Sequence, residues 1–133
     1  MIKQVINIKD YWKIIVYYNV DYNLFDYILK DFHKVRANND LVIRIYYTMY
    51  NRKAKAVTVS NKYLNRSVVL FNKHKDYRDY LNSITHEAEH IKQSMLAAYK
   101  VNDEGEPPAY TIGYIVMKML TPNIIKLIGI NNS

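Results

Sequence analysis

His86-Glu87-Ala88-Glu89-His90 sets two imidazoles four residues apart, with a carboxylate directly after the first. On an α-helix, residues i and i+4 share a face, so both rings can meet one divalent ion while Glu87 stands beside it as a base. The chemistry this suits is hydrolysis through a zinc-bound water. A catalytic zinc usually takes three protein ligands and keeps one position open, so a third donor is required. The candidates are Glu106, Glu104, Asp103, His74 and His33. Glu106 is favoured, because a tight turn after the histidine helix can bring the start of the next helix back across the rings. It precedes Pro107-Pro108, where helical backbone is disfavoured, so its competing role is to cap its own helix. Tyr110 is the first choice, and Tyr114 the second, for a hydroxyl donor to the developing oxyanion, set against a plain core role for both. Glu89 projects towards Lys92 and Lys100 and reads as a solvated ion-pairing acid. His33 and His74 have no partner at ligand spacing and read as structural or surface residues.

These side chains need elements to hold them. The long helix expected from about residue 76 to 100 gathers Tyr77, Tyr80, Leu81, Ile84, Ala88, Ile91, Met95 and Ala98 on one face, leaving His86 and His90 on another side. Gln93, Ser94 and Ala97 lie near the histidines and are small or polar enough to line a cleft. Upstream, Tyr11 to Tyr18 reads as a strand or extended lead-in, and apolar spacing from about 24 to 35 gives a helix. Residues 41–50 alternate Leu41, Ile43, Ile45, Tyr47, Met49 against Arg44 and Thr48, which predicts a strand. With strands at 54–59 and 67–71, the expectation is a three-stranded antiparallel meander. A further helix is expected from about Pro107 to Leu120, with Gly113 marking a close approach to a neighbour. The apolar tail from 121 docks on the domain or meets another chain.

Size and composition narrow the classes. At 133 residues the chain reads as one domain over 1–133, with its core over about 22–120 and a docking tail at 121–133. Without Cys, thiolate catalysis, disulfides and Cys-rich zinc sites are excluded together, so a metal must use His and carboxylate. No signal peptide or membrane span is legible, so the expected location is the host cytoplasm or a virion, with no membrane partner. Net charge is +7 and fourteen Tyr accompany the lysines, yet the cations form no dense stripe in sequence. Nucleic acid is therefore not expected as the main partner.

The order helix, three-stranded sheet, HExxH helix, then a helix opening with Glu resembles the compact gluzincin metallopeptidases, or minigluzincins, over about residues 22–120. More narrowly, Ser67-Val68-Val69-Leu70, then Asn82 to His90, then Gly105-Glu106-Pro107-Pro108-Ala109-Tyr110-Thr111-Ile112-Gly113 is similar to small zincin-like proteins of Bacteroidetes phages and prophages. The resemblance implies an α+β zincin-like fold, zinc on His86, His90 and Glu106, Glu87 as base, and a peptide or protein substrate. Pro107-Pro108 departs from the wider gluzincin pattern and leaves the orientation of Glu106 open. Two other functions compete: a phage virion or assembly component, such as a head-tail ring, built on the same fold with a vestigial or structural site and partnered by phage structural proteins or its own copies; and a basic nucleic-acid-binding module.

Overall fold

Two strands begin the chain. Ile2–Ile8 (β1) alternates inward Ile6 and Ile8 with exposed Lys3, Val5 and Asn7, and Trp12–Tyr18 (β2) is almost continuously buried. That contrast follows from position, since β1 is an edge strand and β2 is covered on both faces. The computed structural model describes residues 1–101 and 110–129, with the side chains of Val101 and Tyr110 excepted. After β2 come helices Phe25–Lys34 (α1) and Asn39–Tyr50 (α2), strands Ala56–Asn61 (β3) and Arg66–Phe71 (β4), and helix Tyr77–Val101 (α3). Helices Tyr110–Met119 (α4) and Pro122–Ile128 (α5) complete the described chain.

The four strands form one sheet in the order β1-β2-β4-β3. β1 pairs antiparallel with β2, β2 parallel with β4, and β3 antiparallel with β4. The sheet is thus mixed and α+β in content, and the expected three-stranded antiparallel meander is corrected. Residues 41–50 are helix, not strand. Asn38 Oδ1 accepts from the Leu41 N–H at 2.8 Å and starts α2, while Val42, Ile45 and Met49 repeat at helical spacing and are buried. The β-branched and aromatic content that favoured a strand is satisfied on the helix surface instead.

Helices cover both faces of the sheet. Ile14, Val16, Tyr18, Val69 and Phe71 point to the side packed by α3, α4 and α5. Ile15, Tyr17, Val68 and Leu70 point to the side packed by α1 and α2. Successive strand residues serve opposite layers, which is why β2 and β4 carry so few polar side chains. The core also extends beyond 22–120: Ile6, Ile8 and Trp12 at one end, and Ile124, Ile125 and Ile128 at the other, join the α3 layer. The tail therefore docks on its own chain as far as Ile128. Gly113 is exposed and a Cβ there would meet nothing within 4 Å among the described residues, so none of them makes the expected close helix approach at this glycine. Among the described residues, no single helix is long and apolar enough to cross a membrane.

Candidate metal centre

The buried stripe of α3, from Tyr80 through Ile84, Ala88, Ile91 and Met95 to Ala98, fixes the helix against the sheet. His86 and His90 fall on its exposed side, one turn apart. Their Nε2 atoms approach to 3.0 Å with ring planes at 90°. Two nitrogens bound to one tetrahedral zinc stand roughly 3.3 Å apart, so the pair is within a few tenths of an ångström of ligand spacing. The contact has the geometry of a hydrogen bond between the two Nε2 atoms, one of them donating, and a cation held by both nitrogens would take the place of that shared proton.

Glu87 is turned about 100° from His86 around the helix, towards β3. It is 3% exposed, and Thr58 Oγ1 donates to its Oε1 at 2.9 Å. β3 is an edge strand of the sheet next to α3, so the carboxylate sits where the HExxH helix meets a strand whose outer side has no strand partner among the described residues. Beyond Thr58, Ser60 Oγ and Ser67 Oγ lie 2.6 Å apart, and Trp12 Nε1 donates to Ser67 Oγ at 2.9 Å. A short polar line thereby runs across the sheet beneath the helix, with its buried groups paired as burial demands.

A groove of about 540 Å³ opens along this junction. One wall is Thr58, Ser60 and the hairpin residues Asn61 to Tyr63; the other is His90, Gln93, Ser94 and Ala97. The hairpin is shaped locally: Asn61 Oδ1 accepts from the N–H groups of Tyr63 and Leu64, and Asn65 takes a left-handed φ of 54°. Gln93, Ser94 and Ala97 line the cleft as their spacing from His90 predicts. Thr58 and the hairpin wall escape sequence reasoning, because their relation to α3 is long-range. The available signal is that Thr58 and Ser60 are polar on the strand face where Ala56 joins the core, whereas Val57 and Val59 face the other layer.

The remaining candidates separate cleanly. Asp103, Glu104 and Glu106 lie outside the described residues, as does the side chain of Tyr110. No group of three metal-ligating side chains occurs among the described residues, so neither His33 nor His74 completes the pair. His33 is exposed on α1. His74 is buried between Asn72 O, 2.8 Å from Nδ1, and Ser83 Oγ, 2.6 Å from Nε2. Burial pushes its pKa below the ordinary 6.5, so the ring is neutral, donates from Nδ1 and accepts from Ser83. Glu89 is exposed and 3.8 Å from Lys92 Nζ, in keeping with a solvated ion pair. The Tyr114 ring sits under Lys118 Nζ at 5.3 Å and packs partly into the core, which suits the core role.

The donor set present, two imidazoles with converging Nε2 atoms and an adjacent buried carboxylate, fits zinc with one further ligand required. Comparison with protein-family models, with curated proteins and with solved structures finds no match.

Proposed function

We propose that the protein is a zinc-dependent peptidase of gluzincin type, with His86, His90 and Glu106 holding the metal and Glu87 acting as general base. The observation that carries this is the 3.0 Å approach of the two Nε2 atoms, with the Glu87 carboxylate on the same helix held by Thr58, and Thr58 and His90 both lining one groove. Zinc, when bound, supplies a Lewis acid that polarises a carbonyl and acidifies water. Glu87 does the proton work. Its Oε1 is held by Thr58, which leaves Oε2 to take the proton from the attacking water and pass it to the amide nitrogen as the C–N bond breaks. Bulk water is largely excluded from this carboxylate by β3 and the α3 core. The outer edge of β3, without a strand partner among the described residues, offers N–H and C=O groups to an extended peptide, and the groove receives its side chains. Tyr110 is the proposed donor to the oxyanion.

The test is Glu87→Gln, assayed on a quenched fluorescent peptide library. Hydrolysis should fall by roughly 10³-fold while bound zinc is unchanged. Full activity in Glu87→Gln would remove the base from the mechanism.

A second reading is favoured by one surface. Ile43, Tyr47 and Tyr50 on α2 are 55%, 59% and 55% exposed, an apolar stripe suited to a protein contact. It supports a virion or assembly component built on the same fold. A stable ring or complex formed without metal, seen by mass photometry, would favour that role.

A further inference from the structure

The sheet face opposite Glu87 gathers charge that is scattered in sequence. Lys3 on β1, Lys13 on β2 and Arg66 on β4 share one face through the pairings Lys13↔Arg66 and Lys3↔Tyr17. Lys30 and Lys34 rise beside them one turn apart on α1. Two adjoining cavities, of about 280 and about 70 Å³, have Lys3, Asp31 and Lys34 as common walls, and these five cations line them with Asp31 as the single carboxylate. Asp31 is 3% exposed and already engaged: the Tyr17 hydroxyl donates to Oδ2, Lys3 Nζ lies 3.2 Å from the same oxygen, and Lys34 Nζ lies 3.8 Å from Oδ1. Lys13, Lys30 and Arg66 make no ion pair among the described residues. At the mouth, the Tyr27 ring is 59% exposed, with Lys30 Nζ 5.7 Å from its centroid.

We propose that this shelf binds single-stranded nucleic acid, its phosphates set among Lys3, Lys13, Lys30, Lys34 and Arg66 and an unpaired base stacked on Tyr27. The cations are spread from α1 across to β4, which suits a repeating anion better than a lone one. The exposed ring selects the class further, since a base offers a flat face for stacking and an acidic peptide does not. Asp31 fixes Tyr17 and Lys3 rather than competing for the ligand, because its oxygens are taken. The surface is separate from the His86 site, so its function does not depend on the proposed peptidase.

Binding of a fluorescein-labelled oligo-dT of about 15 nucleotides, followed by anisotropy across a salt series, tests this. The wild-type chain should bind with log K falling against log salt at a slope of roughly −3, as for four or five phosphates on a single strand. Lys13→Glu with Arg66→Glu should weaken binding at least about tenfold and flatten the slope. Lys73→Glu with Lys126→Glu makes the same change in net charge on exposed residues that line neither cavity, and should leave affinity within about twofold. Tyr27→Ala should lose about five- to tenfold with the slope unchanged. His86→Ala with His90→Ala should bind as wild type. Absence of binding, equal losses in the two double-charge variants, an unaffected Tyr27→Ala, or equally tight binding of a poly-Glu peptide would each overturn the proposal.

Discussion

Thr58 is the residue whose effect most specifically reports the proposed geometry. Its hydroxyl is the partner of Glu87 Oε1, and Thr58→Val keeps the shape while removing the donor. The expected result is a roughly tenfold lower kcat with KM little changed, together with a loss of about 1–3 kcal/mol in urea unfolding from an unpaired buried acceptor. His74 gives a separate test by pH. Its pKa is lowered in the fold by burial, so the unfolded chain takes up its proton first as pH falls below 6.5. Stability from this residue is complete above 6.5 and is lost as pH falls through the lower folded value. The thermal midpoint of His74→Gln should therefore fall less steeply than that of wild type between about pH 7 and 5, although it starts lower. Parallel curves would show that His74 does not titrate differently on folding.

At the scale of elements, α4 offers a measurement independent of the site. Gly113 is exposed within the helix and a Cβ there would touch none of the described residues, so Gly113→Ala should stabilise the protein by about 0.5–1 kcal/mol in urea unfolding. Destabilisation would point to a close contact at this position after all. The same helices explain what was legible in sequence. α1 and α3 are readable because their apolar residues follow one period with few competing signals. Over 41–50 two periods coexist: Leu41, Ile43, Ile45, Tyr47 and Met49 fit a strand, and Val42, Ile45, Tyr46 and Met49 fit a helix. The Asn38 cap decides between them. β1 is hidden for a different reason. Its Ile2, Gln4, Ile6, Ile8 face alternates well enough, but only pairing with β2 makes that alternation a strand. Likewise His86, Glu87 and His90 announce themselves by spacing, whereas Thr58 meets Glu87 across 29 residues and is fixed only by the sheet order.

For the whole molecule, the parallel β2–β4 pair is the organising feature. It requires a crossover from β2 through α1, α2 and β3, and that crossover places helices on one face, α3 to α5 on the other, and β3 at the edge beside the histidines. One face and edge thus present the proposed peptidase site, while the opposite face presents the basic shelf. The most direct measurement of the central claim is the metal content of purified protein, handled without chelator, by inductively coupled plasma mass spectrometry. About one equivalent of zinc per chain is expected for wild type and almost none for His86→Ala with His90→Ala. Less than about half an equivalent in wild type, or the same content in the double variant, would contradict a metal held between these two imidazoles.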